Sequence, residues 1–239
     1  MKNIIRDINR QDTIIIFSAI VSPLEVIKKK IKSNNINIIG TKRIINQAAN
    51  IGCKIIFISS AEVFDGKRGN YKENSKTNPL TTYGKHKKKI ENYLINRIKK
   101  NFSIIRLCWT ISMSKFSRDV ISLTYNTILK KNARIAYDNF FNITHANNIS
   151  EGIFKISKKN IKIIHLVSKQ IISRYNLARL IKRISKKGKK MKFEKIKFEE
   201  FDYLEPRARL NFLDTSFKNN YLNIKYVSLK KLFMIKLKY

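Results

Sequence analysis

Three residues of this chain stand at a spacing suited to proton transfer. Ser60 closes the apolar run Lys54-Ile55-Ile56-Phe57-Ile58-Ser59-Ser60, Tyr83 follows 23 residues later, and Lys87 lies four positions beyond it. Residues four apart on a helix share a face, one turn apart. The Lys87 ammonium is therefore expected near the Tyr83 hydroxyl, where its charge favours the phenolate and lowers the phenol pKa. A Ser/Tyr/Lys set of this kind suits delivery of a proton to a carbonyl oxygen while a nicotinamide supplies hydride. Each residue also has a plainer reading. A serine after a strand commonly caps a turn, a tyrosine at a helix start lies at the surface, and Lys87 has Lys85, Lys88 and Lys89 for company on a solvated face.

The elements that must position this set are legible as periodicity. Residues 13–19 and 54–59 are continuous apolar runs, the signature of parallel strands covered on both faces. Residues 104–108 and 161–167 are two further strand candidates. Helical patterns lie between them at 24–33, 38–50, 82–99, 119–130 and 149–158, and Ser173 caps another through Leu177, Leu180 and Ile181. Strand–helix–strand alternation at this spacing predicts right-handed βαβ units and a doubly wound parallel sheet, an α/β fold. From about residue 186 the chain turns lysine-rich and irregular, with 206–209 as a loop. None of the seven glycines forms the turn that lets a backbone approach a pyrophosphate at a helix N-terminus. Gly66 and Gly69, with Lys67 and Arg68 between them, read as a plain turn.

Composition narrows the function classes. Lysine and arginine number 51 against 16 acidic residues, a formal charge of +35 in 239 residues. The basic runs at 28–30, 87–89 and 186–190 fall in different elements, with no aromatic-basic recognition motif beside them. They read as solvated surface, so no specific nucleic acid partner is expected. Cys53 and Cys108 sit in or beside apolar segments without metal-ligand spacing, and are read as buried free thiols of a reducing compartment. His86, His145 and His165 lack acid or cysteine partners at metal spacing and are read as structural; no metal is expected. The longest apolar stretch, 14–21, is far too short to span a bilayer, and a soluble cytoplasmic protein without a membrane partner is expected.

With these residues in view, the chain resembles the extended short-chain dehydrogenase/reductase family, in its dTDP-4-dehydrorhamnose reductase branch. The branch reads Ser-Thr-Asp-Tyr-Val-Phe-Asp-Gly where this chain reads Ser59-Ser60-Ala61-Glu62-Val63-Phe64-Asp65-Gly66. Its Tyr-x-x-x-Lys pair is matched by Tyr83 and Lys87, after a similar loop at 73–80. Asn37-Ile38-Ile39-Gly40-Thr41, Ile105-Arg106-Leu107-Cys108-Trp109, Asn142-Ile143-Thr144-His145 and Ser173-Arg174-Tyr175-Asn176-Leu177-Ala178 each resemble a segment of the branch, in the same order. Pro206-Arg207-Ala208-Arg209-Leu210-Asn211 and Leu213-Asp214-Thr215-Ser216 do so near the end.

The resemblance implies a Rossmann-like NAD(P)-binding domain at 1–110 plus 141–170 and a small substrate lobe at 111–140 plus 171–239. It implies reduction of a nucleotide-linked 4-keto-6-deoxy sugar, of the dTDP-sugar kind, with NADPH or NADH. Tyr83 is then the acid that protonates the 4-keto oxygen, Lys87 binds the nicotinamide ribose, and Ser60 hydrogen-bonds the substrate carbonyl and the tyrosine hydroxyl. Ser18 and Ala19 meet the nicotinamide-side ribose at a strand end, and Asn37 holds a water in the proton relay, its alternative being a helix N-cap. Trp109 packs against the sugar or simply against the core, Arg207 and Arg209 take the nucleotide diphosphate, and Glu62 stands where the branch has a substrate-side tyrosine. Residues 1–19 resemble the run-up to the family's fourth strand. The resemblance thus implies an N-terminally truncated sheet, lacking about 50–70 residues of the pyrophosphate-binding half. That departure leaves two other readings open: a non-catalytic sugar-nucleotide-binding or regulatory subunit, as in methionine adenosyltransferase, or an inactive gene fragment. A sheet so shortened would pair with another chain, either a complementing chain or a second copy.

Overall fold

The apolar runs form strands because each finds a parallel partner on the expected side. The computed structural model describes residues 7–112, 119–216 and 222–228. Along the chain lie β1 (Thr13–Ile16), α1 (Pro23–Lys28), α2 (Lys30–Asn34), α3 (Thr41–Ile51), β2 (Lys54–Ser60), α4 (Thr82–Tyr93), β3 (Phe102–Leu107) and β4 (Trp109–Ile111). There follow α5 (Val120–Ile128), β5 (Ala133–Ala136), β6 (Phe140–His145), α6 (Ala146–Ser157) and β7 (Ile163–His165). The last elements are β8 (Ile171–Ser173), α7 (Arg174–Ile184), β9 (Phe193–Ile196) and β10 (Leu210–Asn211).

The four expected strands make one parallel sheet in the order β1-β2-β3-β7. Thr13 pairs with Lys54, Ile55 with Phe102 and Ile104 with Ile163, which sets the register. Successive residues of β2 and β3 feed opposite faces, as the period of two requires. Ile55, Phe57 and Ile104 pack with Ile45 and Ala48 of α3, Ile90 of α4 and Leu94 just after it. Ile56, Ile58 and Ile105 pack with Ile149, Ile153 and Ile156 of α6. A sheet apolar on both faces and covered by helices on both is the doubly wound α/β fold the sequence predicts.

The remaining strands are short and were not expected as such. β10, β6 and β4 form a second sheet with β8 antiparallel to β6, and β5 pairs with β9. Segments such as Phe193-Glu194-Lys195-Ile196 carry too little apolar pattern to announce a strand; pairing across the fold makes them one. Beneath them Ile121, Ile128, Phe141, Ile143, Leu177 and Ile181 form a separate core. β1 ends at Ile16, three residues short of the expected run, because Phe17 and Ser18 are exposed and have no strand partner. The patterns at 24–33 and 38–50 are joined by a wide π turn at Asn35–Gly40, which leaves Asn37 and Ile38 buried. Gly66 and Gly69 both have positive φ, 64° and 67°, and form the expected turn; a Cβ on Gly66 would lie 2.4 Å from Ala208 Cβ. Cys53 and Cys108 are free thiols. Among the described residues no helix is long and apolar enough to cross a membrane.

Candidate active site at the start of α4

The first turn of α4 is pinned from three directions. Thr81 caps it, its Oγ1 accepting from the Gly84 amide at 3.0 Å and donating to Glu62 Oε2 at 3.1 Å. Such a cap contributes roughly 1 kcal/mol. The Thr82 amide and hydroxyl both donate to Glu205 Oε2 at 2.8 Å, placing a carboxylate at the positive end of the helix. Gly84 permits the close approach: a Cβ there would lie 2.1 Å from the Glu62 carbonyl oxygen. The turn that follows β2 is thereby held against Tyr83.

Lys87 lies one turn further along. It is 4 % exposed, its Nζ donates to the Ile58 carbonyl at 2.7 Å, and it stands 4.7 Å above the Phe57 ring and 5.6 Å from that of Tyr83. Burial pushes its pKa down to about 8, against the opposing field of Glu91. Tyr83 behaves opposite to the sequence expectation. Burial first, and then the Glu62 carboxylate, push its phenol above the ordinary range. The four-residue spacing puts both side chains on one face, but the Ile58 carbonyl draws the ammonium, and Glu62 adds a negative field at the phenol. Glu62 itself is pushed up by burial, with hydrogen bonds from Thr81 and Asn211 and the charge of Arg207 acting against that.

Behind Lys87 lies an ion pair that sequence reasoning missed. Arg106 of β3 grips Glu91 of α4 with two hydrogen bonds, Nε to Oε1 at 3.0 Å and a second nitrogen to Oε2 at 2.8 Å. Both are almost fully buried. Ser59 donates to the same carboxylate at 2.5 Å, and Arg106 also donates to the Glu73 carbonyl at 3.0 Å and stacks on Phe64. The available signal was Glu91 four residues after Lys87, on the same helix face.

The other candidates fall in varied surroundings. Ser60, half-buried, accepts from the Glu62 amide at 3.2 Å and caps the short 3-10 turn Ala61–Val63. Asn37 does not open a helix. It sits in the π turn, accepting from the Ile20 amide at 2.8 Å, donating to the Ile20 carbonyl at 3.0 Å and lying 3.3 Å from His86 Nδ1. It thus ties the loop after β1, where exposed Ser18 and partly buried Ala19 lie, to α4. Trp109 opens β4 and packs toward Phe141, with Arg174 over its ring at 5.1 Å. Arg207 is exposed and stacks on Tyr203; Arg209 is held by Asp138 at 3.3 Å. His145 caps α6 by accepting from the Asn147 amide. No group of three potential metal ligands occurs among the described residues.

The residues present fit part of a nicotinamide cofactor. Lys87 has three donors and one hydrogen bond among the described residues, so two remain for a ribose hydroxyl. Ser18, exposed, and Ala19, partly buried, lie just beyond the end of β1. A pyrophosphate cradle is a different matter. The described glycines with positive φ are Gly52, Gly66 and Gly69, and none follows β1.

The family model of the RmlD substrate binding domain matches residues 1–230. A spore coat polysaccharide biosynthesis protein of Bacillus subtilis, SpsK, is 27 % identical over 207 residues, covering 85 % of this chain and 71 % of its own. The fold is similar to that of a dTDP-4-dehydrorhamnose reductase of Yersinia enterocolitica, with TM-score 0.79, 22 % identity, and 95 % of this chain and 80 % of that one covered. A Bacillus anthracis dTDP-4-dehydrorhamnose reductase solved in complex with NADP gives TM-score 0.76 at 19 % identity over 94 % of this chain and 79 % of that one. The chain belongs to the RmlD substrate-binding domain family.

Proposed function

We propose that the protein binds a reduced nicotinamide and a nucleotide-linked 4-keto-6-deoxy sugar and reduces the sugar, in the manner of dTDP-4-dehydrorhamnose reductase. One observation carries the reading: Lys87, buried and with two donors unengaged among the described residues, lies one helical turn from Tyr83. The likeness to SpsK, named for spore coat polysaccharide biosynthesis, supports a place in polysaccharide biosynthesis.

In this reading each residue has one role. Tyr83, held protonated at neutral pH by burial and by Glu62, is the acid for the carbonyl oxygen. Lys87 binds ribose hydroxyls, and Ser18 and Ala19 meet the same ribose. Ser60 and Glu62 line the carbonyl, and Trp109 supplies an apolar plane for the sugar. When bound, the nicotinamide supplies the hydride.

The test is a fluorescence titration of the 239-residue chain with NADPH and with NADH. Saturable binding is expected, weakened about 10-fold or more by Lys87→Ala, which deletes a charged hydrogen-bond donor. Because the ammonium is the binding form and its pKa is about 8, affinity should fall as pH rises through that value. A folded chain showing no saturation at millimolar cofactor sinks the reading.

A second reading, nucleotide-sugar binding without turnover, is favoured by the want of a glycine turn after β1 among the described residues. It predicts sugar-nucleotide binding that NADPH leaves unchanged.

Lys87 also makes a prediction for stability. Its pKa of about 8 lies below the unfolded value of roughly 10.4. Between these values the unfolded state binds more protons, so this group's contribution makes stability rise with pH, by about 3 kcal/mol in all. Lys87→Met relieves the buried charge and should raise the melting temperature at pH 7 while weakening cofactor binding. A lower melting temperature would show that the Ile58 hydrogen bond outweighs the cost of burial.

A further inference from the structure

Three buried side chains draw three cationic segments together. Ile128 at the end of α5, Ile181 in the last turn of α7 and Met191 ahead of β9 share one core, each at most 1 % exposed. The residues that flank them in sequence are exposed and basic. Lys130 and Lys131 come soon after Ile128, Lys182 and Arg183 follow Ile181, and Lys190 and Lys192 border Met191. Lys186, Lys187 and Lys189 belong to the intervening loop, which folds back tightly on α7: a Cβ on Gly188 would lie 1.9 Å from the Lys182 carbonyl oxygen. The pairing of Ala133 with Phe193 brings Lys192 level with Asn132, next to Lys131.

No carboxylate answers this charge. The sequence has no aspartate or glutamate between Glu151 and Glu194, or between Asp119 and Asp138. Among the described residues none of these cations takes part in an ion pair. Glu194 pairs instead with Arg134, at 3.9 Å. The basic run at 28–30 differs, because Lys29 there has Glu25 at 3.4 Å. Leu129, 42 % exposed, stands directly before Lys130.

We infer that this basic end, with Leu129 at its rim, docks reversibly on an anionic lipid surface. Lysine ammoniums are compact charges on flexible stems, which suits a diffuse plane of headgroups. An exposed leucine beside them adds apolar area for the boundary between headgroups and acyl chains. A nucleic acid is the poorer match. The rings nearby, Tyr125 and Phe193, pack against the core and do not stand out between the cations, as base stacking requires. Docking at this end leaves the candidate active site open. β5 and β9 begin at the basic end and run away from it. The chain that leaves β9 reaches Glu205, which fastens the start of α4 beside Tyr83. Lipid docking does not depend on the reductase reading.

The experiment is co-sedimentation of the full chain with phosphatidylcholine vesicles, with and without phosphatidylglycerol at roughly one lipid in three. The chain should pellet with the anionic vesicles at about 0.1 M salt and stay in solution with the neutral ones. It should be released at about 1 M salt, where the screening length falls to roughly 3 Å. Lys187→Gln/Lys189→Gln/Lys190→Gln should weaken binding about 100-fold, at about 5-fold per charge near the surface. Lys28→Gln/Lys30→Gln/Lys32→Gln removes equal charge from another exposed segment and should weaken it by about 3-fold at most. Leu129→Gln should weaken it about 3- to 10-fold. All these positions are exposed, so the variants should keep the circular dichroism spectrum of the parent. Equal losses in the two triple variants would reduce the effect to net charge and overturn the proposal. Absence of binding to the anionic vesicles would do the same, as would equal binding to the neutral ones. Single-stranded DNA bound more tightly than anionic vesicles, and unaffected by Leu129→Gln, would assign the surface to nucleic acid instead.

Discussion

Tyr83→Phe should lower turnover of a 4-keto sugar nucleotide by about 100- to 10,000-fold, the range for removing a positioned general acid. The fold should survive, because the Tyr83 hydroxyl has no hydrogen-bond partner among the described residues and its ring stays in place. A change in stability within roughly 0.5 kcal/mol is expected. Nicotinamide binding should persist, since Lys87 is held by the Ile58 carbonyl and not by the phenol. The pH profile gives a sharper check. Burial and Glu62 keep the phenol protonated well past neutrality, so Tyr83 itself should not set the limb near pH 8. That limb belongs to Lys87, and activity should fall as pH rises through it. Turnover in Tyr83→Phe close to that of the parent would remove Tyr83 from the chemistry. A Glu62→Gln variant whose phenol titrates lower would support the account of why the acid stays protonated.

Removing one partner of the Arg106–Glu91 pair is expected to be the most damaging change to stability. Both side chains are almost fully buried and share two hydrogen bonds. Deleting either leaves an uncompensated buried charge, which costs about 3–5 kcal/mol. At roughly 2–4 °C per kcal/mol for a chain of this size, Glu91→Ala should lower the melting temperature by about 6–20 °C. The double variant Glu91→Leu/Arg106→Met should recover much of that loss, because an apolar pair leaves no orphan charge. Thermal melts of the two single variants and the double variant measure this coupling directly. Single variants that melt with the parent would show the pair to be solvated. Glu91 also opposes the burial that depresses Lys87, so Glu91→Ala should move the Lys87 midpoint below about 8. A nuclear magnetic resonance titration of the dimethylated lysine reads that shift without any need for turnover.

The two predictions meet in one column on α4. Tyr83, Lys87 and Glu91 occupy successive turns, with the acid at the sheet's carboxyl end and the ion pair deep behind it. Thr81 and Glu205 fasten the top of the column, and Arg106 fastens its base. Substitutions along it should therefore separate by readout: turnover at Tyr83, cofactor affinity and pH at Lys87, stability at Glu91.

How much of this could be read from the residues alone depended on the range of the interaction. Strands β1, β2, β3 and β7 were legible because a strand buried on both faces must be apolar throughout, and that is a local pattern. The helices of the sheet were legible by their period, and Ser173 as a cap by its hydroxyl, which does accept from the Asn176 amide. The shared face of Tyr83 and Lys87 followed from helix geometry. The short strands β4, β5, β6, β8, β9 and β10 were not legible, because their pairing energy comes from partners distant in sequence. The π turn at Asn35–Gly40 escaped for a similar reason: it shifts the helix face by one residue so that Asn37 can reach Ile20. Electrostatics was decided only by the tertiary structure. Spacing places an ammonium and a phenol together, but the direction of each pKa shift depends on burial and on the charges that the fold brings near. For Tyr83 burial acts first and then Glu62, held by Thr81 and admitted by the missing side chain of Gly84. Arg106 and Arg174 are both arginines in apolar surroundings, and nothing local to either tells them apart. The fold puts Glu91 beside the first and two aromatic rings against the second, because desolvation and Coulomb terms act through space and not along the chain.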